Sequence, residues 1–177
     1  MPQIDYESLI ADIPDYPEPG VVFKDITPLF ADPAGLKALV RDLADHFRAA
    51  GVTKVVGPEA RGFMTGTPVA YELGAGFVPA RKPGKLPRET HAVSYDLEYG
   101  SDTLEIHTDA IVPGDRVLIV DDLVATGGTA AATGKLVQEL GAELVGYGCI
   151  LELVFLNPRE TLRTAGDHEL YSLVKVG

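Results

Sequence analysis

The chain contains a single cysteine, Cys149, so no intramolecular disulfide can form. It stands in an apolar, strand-like run, which suits a small buried hydrophobe in a reducing compartment better than a nucleophile. Positive charge is also scarce. Fifteen Lys and Arg against 26 Asp and Glu leave a net charge of −11, which argues against nucleic acid or an anionic membrane as a partner. No apolar run is long enough to span a bilayer, and residues 1–12 lack the basic segment of a signal peptide. The expectation is a cytoplasmic protein. His46, His91, His107 and His168 show no metal-ligand spacing. Two common nucleotide loops are missing as well. No Lys lies between Asp121 and Gly134, as a Walker A loop would need, and no G-x-G-x-x-G follows a strand.

The most informative stretch present is Val117-Leu118-Ile119-Val120-Asp121-Asp122, followed by Leu123-Val124-Ala125-Thr126-Gly127-Gly128-Thr129. Four consecutive apolar residues predict a short strand buried inside a parallel sheet, with the two carboxylates following at its carboxyl end. Residues 130–140 have helical periodicity. In open α/β sheets ligands bind where strands end and helices begin. A loop of small residues there lets backbone N–H groups and a helix N-terminus converge on a phosphate, with Thr126 and Thr129 adding hydroxyls. Asp121 and Asp122 lie too close to such an anion to hold it. They suit sugar hydroxyls or a positively charged carbon, and the order of groups fits a ribose 5-phosphate. A buried strand with a tight Gly turn would look the same locally. A phospho-accepting receiver domain also uses an Asp pair, but needs this strand near its start, and most of the chain precedes it.

The 177 residues fit one α/β domain, with strand and helix patterns alternating between Gly or Pro junctions. Residues 8–13 predict a short helical end. Asp32-Pro33 predicts an N-cap with Pro in the first helical turn, and Leu36, Leu39, Val40, Leu43 and Phe47 recur at helical spacing up to a stop at Gly51. Strands are expected at 54–57, 77–80, 116–120, 143–151 and 169–174, and a helix at 61–73 with Gly66 and Pro68 as weak points in its middle. Asn157-Pro158 predicts the cap of a short helix. Val93, Tyr95, Leu97 and Leu104, Ile106 alternate with polar residues, which predicts a two-stranded antiparallel flap.

Against the acidic background Arg81, Lys82, Lys85 and Arg88 cluster around Pro83, Gly84 and Pro87, where no regular helix can form. A solvated surface loop is one reading. A mobile cationic lid over a phosphate or pyrophosphate is the other, and such a lid would exclude water from a reactive intermediate. Gly57-Pro58-Glu59-Ala60-Arg61-Gly62 follows an apolar strand and opens a helix. Glu59 could simply complement the helix dipole, or the turn and Arg61 could hold a second anion.

Taken together these residues resemble the type I phosphoribosyltransferases, whose phosphoribosyl-diphosphate (PRPP) motif the 121–129 run matches. Further blocks are similar to the adenine-using branch of that family: Pro19-Gly20-Val21-Val22-Phe23-Lys24-Asp25-Ile26-Thr27-Pro28, Glu59-Ala60-Arg61-Gly62-Phe63, Arg81-Lys82-Pro83-Gly84-Lys85-Leu86-Pro87 and Tyr95-Asp96-Leu97-Glu98-Tyr99-Gly100. The similarity runs from about residue 14 to 141.

The resemblance implies a central, mostly parallel sheet flanked by helices, an antiparallel flap, and a small hood from about residues 1–30 and the C-terminal segment. All of this lies in one domain, 1–177. It implies that adenine and PRPP give AMP and pyrophosphate with Mg²⁺, in a homodimer, with no dedicated protein metal site. It places Ala125, Thr126, Gly127, Gly128 and Thr129 at the 5′-phosphate, and Asp121 and Asp122 at the ribose. Glu59, Ala60, Arg61, Arg81, Lys82 and Lys85 fall at the pyrophosphate, with a cis Glu59–Ala60 bond and Arg81 reaching a neighbouring subunit. Val22, Phe23 and Lys24 face the base, and Glu98 is the acid/base candidate, although an exposed polar residue on a flap strand would look alike. Asp121, Asp122, Arg61 and Lys85 complete the catalytic set. Lys24 stands where the family often has Arg, and an ammonium could donate to O6 of a 6-oxopurine. A 6-oxopurine enzyme and a PRPP-sensing regulator that does not turn over are the competing readings.

Overall fold

In the computed structural model residues 4–96 and 100–177 are described. Five strands form one all-parallel sheet: β3 (Lys54–Pro58), β4 (Gly76–Ala80), β7 (Arg116–Val124), β8 (Glu143–Leu153) and β9 (Leu170–Val176). Their order is β4-β3-β7-β8-β9. An antiparallel pair, β1 (Ala11–Pro14) with β2 (Val22–Asp25), precedes it. A second pair, β5 (Thr90–Asp96) with β6 (Ser101–His107), forms the expected flap. The α-helices are α1 (Thr27–Ala31), α2 (Pro33–Phe47), α3 (Arg61–Leu73), α4 (Gly128–Glu139) and α5 (Pro158–Leu162).

The side-chain alternation of β7 explains the layers. Leu118 and Val120 point to one face, where they pack with Leu39, Leu43 and Val69 of α2 and α3. Val117 and Ile119 point to the other, against Leu136 and Val137 of α4 and Leu104 and Ile106 of the flap. All four are essentially fully buried, which is why the run is apolar without interruption. Cys149 lies in the same core, and burial pushes its thiol pKa up, so it is an inert packing residue.

Helix α2 begins as expected: the Asp32 side chain accepts a hydrogen bond from Gly35 N at 2.6 Å, and Pro33 opens the first turn. After α2, a 3-10 turn leads to Gly51 in the left-handed conformation. The helix expected at 61–73 forms with those bounds and runs through Gly66 and Pro68, and Gly66 leaves room for the Phe77 ring. Two expectations are corrected. Residues 8–13 do not make a helical end, because a 3-10 turn at Glu7–Leu9 passes directly into β1, which finds its ladder in β2. The Asn157 side chain makes no capping bond, and the residue instead takes the left-handed turn into α5.

Replacing Asp32 by Ala removes the α2 cap. It should cost about 1 kcal/mol in urea denaturation and lower Tm by about 2–4 °C, with turnover unchanged.

Candidate active site

The site is assembled at the carboxyl edge of the sheet. β3 pairs with β7 in the register Val56 to Ile119, so the turn after β3 and the residues from Asp121 onward emerge side by side. Strand β7 is longer than its apolar run implies. It continues through Asp121 and Asp122 to Val124, because β8 supplies a pairing partner as far as Glu152. The carboxylates therefore sit on the strand and do not follow it.

Beyond β7 the chain turns at Gly127 (φ +86°), and α4 starts with no side-chain cap, so its first-turn N–H groups have no side-chain acceptor. A cavity of about 250 Å³ opens there, lined by the chain from Asp121 to Ala130 and faced by Glu59 and Arg61. Glycine is required at 127 on two counts. The positive φ strains other residues, and a Cβ would meet the Pro158 carbonyl oxygen at 2.8 Å. The hydroxyl of Thr129 contacts the Tyr95 hydroxyl of the flap at 3.2 Å.

Asp122 is buried, and its Oδ2 lies 3.1 Å from Arg61 Nε yet has no aligned hydrogen-bond donor. Asp121 Oδ1 accepts from Asp122 N at 2.8 Å. Burial raises the Asp121 carboxyl pKa well above the usual carboxylate range, and the neighbouring Asp122 charge adds to that. Close approach is possible because residue 62 is Gly: a Cβ there would lie 3.0 Å from Asp121 Oδ1. Two carboxylates thus share a tight site beside the half-exposed Arg61 guanidinium.

Every cation of the 81–88 stretch is held by a carboxylate. Arg81 Nε and Lys85 Nζ donate to the two oxygens of Glu59 at 2.8 and 3.0 Å. Lys82 donates to Asp102 at 2.7 Å, and Arg88 pairs with Asp109. Glu59 is almost fully buried; burial opposes its charge, but the bonds from Arg81 and Lys85 outweigh it and hold its pKa below the usual range. The stretch read as a lid thus rests folded onto Glu59 and the flap. The Glu59–Ala60 bond is cis, as the resemblance implies.

On the other side of Arg61 lies a larger cavity, about 650 Å³ and mostly apolar. Val22, Phe23 and Lys24 line one wall, and Leu153, Phe155 and Leu156 another. The Arg61 guanidinium lies 5.9 Å over the Phe23 ring, and Lys24 Nζ donates to Asp12 at 2.6 Å. Asp12 and the 153–156 wall escape sequence reading. Asp12 is one acid among many, and an apolar run before Asn157-Pro158 has the composition of core. Its visible signal is Phe155, 62% exposed despite its size. Glu98 lies outside the described residues. Among the described residues no group of three or more His, Cys, Asp or Glu side chains could hold a metal.

Because the folded-state Asp121 pKa is raised, the charged form destabilises the fold. That penalty is absent below the unfolded Asp pKa near 4 and grows as pH rises through the folded pKa. Asp121→Asn should therefore have a higher Tm than the unsubstituted chain, with the gap widening as pH rises above about 4. Superimposable Tm profiles would refute the assignment.

Comparison with known proteins places the geometry in a family. The model of the phosphoribosyl transferase domain matches residues 26–165. An adenine phosphoribosyltransferase of Solidesulfovibrio magneticus is 54% identical over 170 residues, covering 96% of this chain and 99% of that protein. The crystal structure of the Thermoanaerobacter pseudethanolicus adenine phosphoribosyltransferase superposes with a TM-score of 0.92 at 46% identity, covering 97% of this chain and 98% of that one. The Saccharomyces cerevisiae enzyme, solved with adenine and an imino-altritol bisphosphate, gives 0.88 at 39% identity, with 96% and 97% covered. A parallel sheet with a Gly-Thr loop after an Asp pair, two cavities joined at Arg61, and these likenesses lead to one conclusion: the chain belongs to the phosphoribosyltransferase family, in its adenine phosphoribosyltransferase branch.

Proposed function

We propose that this chain transfers the phosphoribosyl group of PRPP to N9 of adenine, giving AMP and pyrophosphate as a purine-salvage step. The observation that carries the reading is the joining of the two cavities. Arg61 and Leu123 line both, so a sugar phosphate in the smaller and a purine in the larger meet at a shared wall. The yeast relative binds adenine together with a bisphosphate, which fits the same division.

The roles follow from chemistry. The backbone of Ala125, Thr126, Gly127, Gly128 and Thr129 receives the 5′-phosphate at the N-terminus of α4. The C1′–O bond to pyrophosphate breaks as the C1′–N9 bond forms, through an oxocarbenium-like state in which positive charge spreads over the ribose. Asp121 and Asp122 favour that charge and accept from the ribose hydroxyls, and Asp122 Oδ2, ion-paired with Arg61 but without an aligned hydrogen-bond donor, supplies an acceptor. Arg61, Arg81, Lys82 and Lys85, with the Glu59–Ala60 turn, receive the leaving diphosphate, which takes over the cations from Glu59 and Asp102. Glu98 accepts the N9 proton.

Mg²⁺ fits this site. It is a hard cation that takes few protein oxygens and keeps water, and the Asp pair with an orphaned oxygen suits it. Asp121 and Asp122 would hold it together with substrate oxygens and water, and it would neutralise diphosphate charge.

Adenine is favoured over a 6-oxopurine because the Lys24 ammonium is engaged by Asp12, leaving the β2 backbone and the Phe23 ring to read the base. The whole chain acts as one cytoplasmic domain and works as a homodimer. Among the described residues no helix is long and apolar enough to cross a membrane.

Steady-state pyrophosphate release from PRPP should be fastest with adenine among adenine, hypoxanthine, guanine and orotate. No turnover with any base would overturn the enzyme reading, and faster turnover with hypoxanthine the choice of adenine. Lys85→Ala should lower kcat by about 10–100-fold while changing the KM for adenine less than about threefold. Small, equal effects on both would show a surface role only.

A further inference from the structure

Glu152 is the one carboxylate set deep in β8, flanked by Leu151 and Leu153 and 1% exposed. Arg159, seven positions on, donates to both of its oxygens from Nε and Nη2, at 2.7 and 2.8 Å. Ser172 of the neighbouring strand β9 donates a third bond at 2.7 Å. Burial alone would raise the Glu152 pKa, but the bonds from Arg159 and Ser172 hold it below the usual range, so the pair stays ionised.

The segment between the two partners is unusual. Leaving β8 it makes a 3-10 turn, Val154–Leu156, and Leu153, Phe155 and Leu156 form a wall of the larger cavity. It then reverses at Asn157 and reaches Pro158, whose carbonyl oxygen packs against the Gly127 backbone of the phosphate-side loop. Thr161, two positions beyond Arg159, packs against the same glycine. The ion pair therefore closes a short loop that carries one wall of the larger cavity and backs onto Gly127, which lines the smaller. Glu152 is buried while the Arg159 side chain is 46% exposed; replacing such a pair by apolar residues of similar volume is often neutral for stability, so stability is a weak reason for an ion pair here. What the bidentate fork provides and apolar packing does not is a fixed distance and orientation between strand and loop.

We propose that Glu152, Arg159 and Ser172 form a positioning clasp that holds the base wall and the phosphate loop in register with each other, and so sets the affinity for both substrates. None of the three is assigned contact with a reacting atom. The inference rests on the reading of the two cavities as base and PRPP sites.

The test begins with the unsubstituted chain. Absence of adenine- and PRPP-dependent turnover there would remove the functional reading itself, independently of the clasp. With turnover established, the paired variant Glu152→Met with Arg159→Met avoids an isolated buried charge and should keep a Tm close to that of the parent. It should raise the KM for adenine and the KM for PRPP by about tenfold each, with kcat within about threefold. Arg159→Lys keeps the charge but loses the fork, and should raise both KM values by a smaller factor. A folded paired variant with parental KM values, a rise confined to one substrate, or a loss confined to kcat would each overturn the clasp. Should the paired variant not fold, Arg159→Lys decides alone: both KM values raised supports the clasp, and unchanged values overturn it.

Discussion

The structure depends on the parallel pairing of β7 between β3 and β8. Parallel ladders leave all carboxyl ends on one edge, and the chain must then cross back over a face through a helix. The turn after β3 and the loop after β7 thus become neighbours although some sixty residues separate them in sequence. β8 adds the third contribution by running on to Leu153, so that the segment ending at Pro158 lies against Gly127. Slipping β7 by one residue would turn Asp121 and Asp122 to opposite faces and put Val117 and Leu118 on the wrong sides of the core.

Electrostatics at this edge is arranged for exchange. An acidic chain keeps a cluster of cations near its site by pairing each with its own carboxylate: Arg61 with Asp122, Arg81 and Lys85 with Glu59, Lys82 with Asp102. These pairs are partly exposed on the cationic side, so each is worth little in water and can be traded for a stronger anion. The Asp pair has the opposite character. It is desolvated, mutually repelling and short of donors, a state that costs stability and that hydroxyl groups and positive charge relieve. Stability is spent where the chemistry is placed.

Much of the fold was legible because its signals are local. The apolar run 117–120, the Asp32-Pro33 start of α2 and the alternation of the flap each reflect a constraint carried by adjacent residues, and each element formed. The misreadings have a common source. The extension of β7 through its aspartates and the strand at Ala11–Pro14 were each decided by a pairing partner outside the segment: β8 and β2. Polar residues on a strand look like terminators until the partner that accommodates them is known.

The site divides in the same way. The residue types around an anion and a sugar were readable from 121–129, 59–62 and 81–88, because small residues, acids and bases in fixed order are a local chemical statement. The sequence could not say which charges meet. That Glu59 is the resting partner of Arg81 and Lys85, that Asp12 takes up Lys24, and that Glu152 accepts from both Arg159 and Ser172 are choices made through space. By itself the sequence determined the chemistry available at the sheet's edge, since that depends only on which side chains follow which strand. The tertiary structure alone decided the pairing, because charge and desolvation act through space and the distances are set by strand register.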